Sequence, residues 1–544
     1  MEGEAASAVD VGASEDARLE ALGYKPQLKR VLPFFSNFAV GFTYLSPMVG
    51  IYSLFIYGFG IAGPAYIWLT LIPLIGMLFV ALVFGELASH YPVAGALFQY
   101  SKYSVGPRFG WFVGWFYGFA LLITVAAVDT GVVSYVTSLL HNWFGNSWLG
   151  SLNSAGHGTI LVITLILLAI QSTVNITGAR IMADVAKLGV YVEIVGTLGI
   201  ALILGIHGFH HSFGFLFSTQ GAQHAATNAY GLNFHGNWAL AALVAVLAPV
   251  YIFYGFESCG DIAEETKDAG RQIPRAMRHA LIWGGIASLI LTAGLLLATQ
   301  KHNPVGATVN GGGIPFILAQ LPQGLQDFLL IIIIFAFFSC GSSIQGAGSR
   351  LAFSFSRDGG LPGSGWISRV NQRFKTPANA LLMGAVITVL FCLLVYVNPG
   401  SDYHFWFVTY PAHMNALTAL VSFAVSGIYL SFLLTVIGAI IARARGWQPE
   451  GVFRLGKWAW PVLIIAVGYL AAMFVNVIYP SGLTSARGTF FNYDWITLAV
   501  MVLIAVIGAL YLLIGRPDRN IEKHLHDPLE PTGAELPGAA PTTS

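Results

Sequence analysis

Charge is what this chain has least of. Only 9% of its 544 residues are Asp, Glu, Lys or Arg, while 56% are hydrophobic and 13% aromatic; soluble globular domains carry roughly 25% charged residues. That balance excludes an ordinary water-soluble domain and places the chain in a lipid bilayer. Cysteine is scarce too: Cys259, Cys340 and Cys392 all fall in apolar stretches. They provide neither a secreted-type disulfide framework nor a metal-ligand spacing, and read as small buried apolar residues. The chain also lacks HExxH, GxSxG, a GKS or GKT phosphate loop and any Cys-His pair at sensible depth. No enzyme, cofactor or metal is therefore expected, and the missing phosphate loop argues against an ATP-driven pump. A net charge of +1, with basic residues spread over short loops, makes no case for nucleic acid.

What the chain has is apolar length. A spanning helix needs about 20 largely apolar residues, and such stretches are centred near residues 44, 76, 125, 167, 194, 250, 288, 340, 388, 428, 468 and 504. They predict an all-α integral membrane protein with twelve transmembrane helices. Residues 1–30 are polar and carry Glu2, Glu4, Asp10, Glu15, Asp16 and Glu20 ahead of Lys25, Lys29 and Arg30, unlike a signal peptide. Placing the N-terminus in the cytoplasm leaves only Lys301 and Arg487 among the basic residues on the far side, as the positive-inside rule requires. Both termini are thus expected in the cytoplasm, with the chain multi-pass in the plasma (inner) membrane.

The expected plan is a cytoplasmic tail (1–30), spans one to five (31–206), an outer loop (207–236), spans six to ten (237–442), two last spans (456–515) and a disordered Pro-, Gly- and Thr-rich tail (516–544). The outer loop holds His207, His210, His211, His224 and His235 without an HxxxH spacing, and reads as a solvated loop rather than a metal site. In span three, Gly110, Gly114 and Gly118 at four-residue spacing predict close helix packing. Trp111 and Trp115 there suit an interfacial aromatic belt.

Two apolar stretches carry helix-breaking residues near mid-membrane. One is Ser46-Pro47-Met48-Val49-Gly50 and the other Tyr254-Gly255-Phe256-Glu257. A broken helix frees backbone polar groups where there is no water, so such breaks persist only where they line a protected site. Their recurrence in two halves points to an inverted repeat and a secondary transporter. Unwinding at the first break would leave the amides of Met48, Val49, Gly50 and Ile51 at a half-helix N-terminus, which favours an anion such as a substrate carboxylate. At the second, Gly255 permits the turn, Tyr254 and Phe256 could cover a substrate, and Ser258 offers a hydroxyl. Glu257 either contacts substrate or caps freed amides.

Two more acids lie at membrane depth, where a charge marks a substrate, ion or proton path. Glu193 lies about twelve residues into span five, roughly 18 Å deep at 1.5 Å per residue. With no facing cation evident, it is a candidate proton carrier or cation partner. Asp129 in span three either faces the centre and pairs with a substrate amine, or turns away to bond neighbouring helices. Ser339-Cys340-Gly341-Ser342-Ser343 with Gln345 forms a polar patch in span eight.

Five long stretches carry a family resemblance: GELASHYPVAGALFQYSKY at 85–103, NITG at 175–178, GFESCGDIAEETKDAGRQIPRAM at 255–277, SRLAFSFSRDGGLPGS at 349–364 with TPANAL at 376–381, and LGKWAWPV at 455–462. In that order they resemble the amino acid-polyamine-organocation superfamily, and within it the amino acid/choline permease branch that includes GABA permeases. The resemblance implies a five-plus-five inverted repeat across 31–442 with discontinuous helices one and six, two further C-terminal helices, and alternating access. It further implies that Ser46 to Gly50 hold a substrate carboxylate, that Tyr254 to Glu257 contact the amino group or side chain, and that Glu193 falls where proton-coupled relatives carry a lysine. An acid at that place departs from the family pattern, as does the PMVGI run.

The first reading is therefore a proton-coupled transporter of an amino acid or GABA-like compound, its partners being that small molecule, a proton or another cation, and the bilayer. The second is a transporter or exchanger of cationic amines such as choline, a polyamine or a basic amino acid. A non-transporting amino acid sensor is the third, against which the short tails argue.

Overall fold

The computed structural model describes residues 19–20, 22–145, 157–222, 236–396, 403–405, 408–410, 416–479 and 496–523. Among them the protein is helical apart from one short antiparallel hairpin, Tyr403–Phe405 with Val408–Tyr410. Ten helices are long and apolar enough to cross a membrane, and two shorter apolar helices cover Trp238–Ile252 and Ala378–Leu393. His224, His235, Arg487 and most of both tails lie outside the described residues.

The principal helices are α1 (Phe34–Leu45), α2 (Pro47–Ala62), α3 (Leu71–His90), α4 (Ala96–Ser104), α5 (Pro107–Gly131), α6 (Val133–Phe144), α7 (His157–Ile176), α8 (Ala179–Ile206), α9 (Trp238–Ala245), α10 (Leu247–Ile252), α11 (Ser258–Asp261), α12 (Ala269–Leu297), α13 (Gln323–Arg357), α14 (Ala378–Tyr396), α15 (Ala416–Ala444), α16 (Ala459–Ile478) and α17 (Ile496–Gly515). Large apolar side chains face outward along α8 (Leu188, Tyr191, Val195, Leu198, Leu202) and α17 (Val502, Leu503, Val506, Leu510). A water-soluble surface does not carry such continuous apolar faces, whereas a bilayer solvates them.

The α1 and α2 pair and the α9 to α11 stretch lie at the centre, enclosed by α5, α8, α13 and α15. The glycine spacing in α5 does serve packing. A Cβ on Gly110 would lie 2.7 Å from the Lys102 backbone, and one on Gly114 would lie 3.1 Å from the Phe98 ring, so α4 rests directly on α5. Trp111 departs from the expected belt: it is fully buried and donates its indole N–H to the Gly360 carbonyl at 2.9 Å.

The face beneath the centre is closed by the N-terminal segment and a set of buried ion pairs. Val31 and Leu32 donate their amides to the Glu265 carbonyl at 3.0 and 2.9 Å, and Lys267 donates its amide back to Leu32. Arg350 forks onto both Glu265 oxygens at 3.1 and 3.0 Å, and Arg357 holds Glu264 in the same bidentate way. Lys102 donates to Asp358 at 2.8 Å, with the Tyr24 hydroxyl donating to the same carboxylate at 2.9 Å. Arg443 pairs with Glu86. Glu86, Lys102, Glu264, Glu265, Lys267, Arg350, Arg357 and Asp358 belong to the stretches at 85–103, 255–277 and 349–364, so much of the family resemblance resides in this closure. On the opposite face the histidines cap carbonyls: His210 donates to Thr299 and His211 to Gln300, both at 3.1 Å.

Candidate functional site

The first interruption is a single residue. Pro47 has no amide N–H and its ring pushes the preceding residue out of the helical region, so Ser46 adopts φ 37° and ψ 88°. Its amide closes α1 on the Phe42 carbonyl at 2.8 Å. Its hydroxyl accepts from the Val49 amide at 3.2 Å, and its carbonyl accepts from Gly50 at 3.1 Å. Two of the four amides expected to be free are thus already satisfied, because the serine before the proline caps the new helix itself.

The Met48 amide is where Glu193 is aimed. Its carboxyl group faces that amide and the Ser46 hydroxyl, yet neither oxygen reaches hydrogen-bonding geometry, and the side chain is 1% exposed. Glycines on either side of Glu193 bring α8 this close. A Cβ on Gly189 would sit 2.8 Å from the Thr43 methyl, and one on Gly196 would sit 3.0 Å from the Met48 sulfur. The Thr197 hydroxyl, one turn beyond Glu193, is also buried and unpaired.

At the second interruption, Gly255 takes φ 107° and donates its amide to Glu257 Oε2 at 2.7 Å. The Ser258 hydroxyl donates to the Gly255 carbonyl at 2.6 Å, and Glu257 Oε1 accepts from Tyr117 at 3.3 Å. Glu257 therefore braces the break it sits in. Phe256 packs against Phe84 and Phe432, while Tyr254 meets Tyr44 edge-on with centroids 6.0 Å apart.

The interruptions touch each other through glycine. A Cβ on Gly255 would fall 2.7 Å from the Leu45 amide nitrogen, and one on Gly50 would fall 3.2 Å from Ile252 Cα. Gly255→Ala is accordingly expected to cost about 1–3 kcal/mol from the positive φ, with the end of α1 displaced as well. Melting of the purified protein should fall by several degrees and solute flux should drop more steeply than folded yield.

Asp129 sits between α5, α7 and α13. One oxygen accepts from Gln171 at 2.7 Å, Gln171 accepts from Gln345 at 2.8 Å, and Gln345 accepts from Ser172 at 3.1 Å. Its other oxygen is buried without a partner. The span-eight polar patch joins several helices: Cys340 donates its thiol to the Tyr44 carbonyl at 3.4 Å, and Ser343 lies 2.8 Å from Thr43.

Around the two interruptions, Tyr44, Thr197, Tyr251, Glu193, Asp129 and Asp261 all keep buried side-chain oxygens without partners. Buried polar atoms are nearly always hydrogen-bonded, and this concentration marks the two interruptions as the candidate site. Sequence reasoning missed Asp261 and Tyr117. Asp261 lies four residues after Glu257, a spacing that puts both on one helical face, and that signal was available. Nothing comparable pointed to Gln171.

A helical bundle with apolar outer faces and ten helices long and apolar enough to span a bilayer is a multi-pass membrane protein. The Amino acid permease family model matches residues 32–512, and the chain belongs to that family of transporters. It is 27% identical to Amino-acid permease BAT1 of Arabidopsis thaliana over 92% of this chain and 95% of that protein. It is likewise 27% identical to the BAT1 homolog of Oryza sativa subsp. japonica, over 86% and 87% of the two chains. Thiamine transporter thi9 of Schizosaccharomyces pombe is similar at 26% identity, over 92% and 86%.

Proposed function

We propose that the protein is a proton-coupled secondary transporter of an amino acid or GABA-like compound, working by alternating access. The observation that carries this reading is Glu193, buried, unpaired and aimed at the N-terminus of α2. A helix N-terminus attracts anions, and in our reading the substrate carboxylate binds there, against Ser46, Pro47, Met48, Val49 and Gly50. Two anions do not share that place without a large repulsion at low dielectric. Substrate binding and protonation of Glu193 therefore assist each other by the same factor, which is symport in its simplest form. Tyr254, Gly255, Phe256, Glu257 and Ser258 form the opposite wall.

The same reading takes the twelve apolar helices as a five-plus-five inverted repeat over 31–206 and 237–442, with α1–α2 and α9–α11 as its discontinuous members and 456–515 as two added spans. The buried ion pairs then close the cytoplasmic side of a plasma (inner) membrane protein with both tails, 1–30 and 516–544, in the cytoplasm. Reconstituted in liposomes, the protein should accumulate an amino acid when the outside is acidified, and the lumen should acidify with it. Uptake indifferent to the pH gradient overturns the coupling, and a protein that binds amino acids without flux is a sensor.

The partnerless oxygens of Asp129 and Asp261 favour one second reading, transport of a cationic amine such as choline, a polyamine or a basic amino acid. Asp129→Asn separates the two. In the amino acid reading, Gln171 still finds an oxygen and zwitterion uptake stays within about twofold, under 0.5 kcal/mol. In the amine reading, binding of the amine is lost.

A further inference from the structure

Glu257 and Asp261 are joined by one hydroxyl. Tyr117 lies 3.3 Å from Glu257 Oε1 and 2.8 Å from Asp261 Oδ2, so the two carboxyl groups sit within about 6 Å, the range in which like charges disfavour each other. Both residues are 0% exposed. The groups facing them are Tyr44 from α1, Tyr100 from α4, Tyr117 from α5, Tyr254 and Cys259 from their own stretch, and Tyr429 from α15. Among the described residues no Lys, Arg or His pairs with either acid, and the buried cations below them, Lys102 and Arg350, are held by Asp358 and Glu265.

A second observation points to a bound cation. Tyr100, from a separate element, is 0% exposed and its hydroxyl has no partner. It lies 2.5 Å from where a Cβ on Gly260 would stand, between the two acids in sequence. Asp261 Oδ1 is unpaired as well. Two buried anions without a cation are untenable at this depth, and a proton held by one carboxyl group, with the Tyr117 hydroxyl bridging to the other, relieves the pair with no further ligand.

We propose that Glu257 and Asp261 hold one transported proton between them, as a site separate from Glu193. This rests on the proton-coupled reading above. The proton is shared while the ion-paired face is closed. When that face opens, water solvates both carboxylates and the proton leaves to the cytoplasm, so its binding is linked to conformation.

The test is the proton-to-substrate ratio in liposomes, read from the substrate gradient that just balances an imposed pH gradient. For Asp261→Asn, the ratio is expected to fall by about half, because one of two coupled sites is lost. An unchanged ratio in this variant overturns the proposal. Should Asp261→Asn not fold, the unaltered protein decides: a ratio above one is expected, and a ratio of one overturns the second site. No proton movement at all in the unaltered protein defeats the proton-coupled reading itself, a different outcome from either.

Discussion

Glu193→Gln is expected to abolish accumulation driven by a pH gradient while sparing exchange of substrate for substrate. The glutamine keeps the volume of the side chain and the α8 approach set by Gly189 and Gly196, so the break at Ser46 should retain its shape. What disappears is the titratable carboxyl group facing the Met48 amide and the Ser46 hydroxyl. With a permanently neutral side chain at that place, the substrate carboxylate binds the α2 N-terminus at any pH. The variant should therefore bind substrate at neutral pH about as tightly as the unaltered protein does in acid, a gain of roughly 5–150-fold if the linkage is of ordinary size. Side-by-side uptake and counterflow in the same liposomes check both halves. Full pH-dependent accumulation by the variant would show that another group couples the proton.

Arg350→Met should be the most destabilising single change on the ion-paired face. Arg350 and Glu265 are each about 1% exposed and meet through two hydrogen bonds. Removing one partner strands the other as a buried charge, at a cost of about 3–5 kcal/mol. The same glutamate carries the backbone carbonyl that receives Val31 and Leu32, so loosening its side chain also loosens the N-terminal segment. Melting in detergent should fall accordingly, and proteolysis between residues 22 and 32 should quicken. Arg350→Met combined with Glu265→Gln should recover most of the loss, because no lone charge is then left buried. If the double change is as unstable as the single one, packing of the arginine stem rather than charge pairing holds this face.

The membrane helices and both interruptions are legible in the sequence because each depends on local chemistry. Apolar length predicts a span, and Ser46-Pro47 or Gly255 breaks it through restrictions belonging to those residues. The extent of unwinding at Ser46 is less legible: one serine supplies a cap hydroxyl to Val49 and a carbonyl to Gly50, so the break consumes amides that a longer unwinding would free. Glu193 stands out by its depth, but its target does not, since that depends on Gly189 and Gly196 drawing α8 against α2. Asp129 could be read two ways from its own span, and its partner Gln171 lies 42 residues away on another helix. Trp111 was misread for the same reason. Its interfacial position suits a lipid belt, and only the approach of α13 and Gly360 buries it.

The claim on which the account turns is that a solute anion and the Glu193 charge compete for one helix end. Proton uptake by the purified protein on addition of a bound amino acid, followed in weak buffer with a pH dye, tests it most directly. The expected result is net uptake of protons with substrate, diminished in Glu193→Gln. Substrate binding that moves no proton in the unaltered protein, or moves as many in the variant, would contradict it.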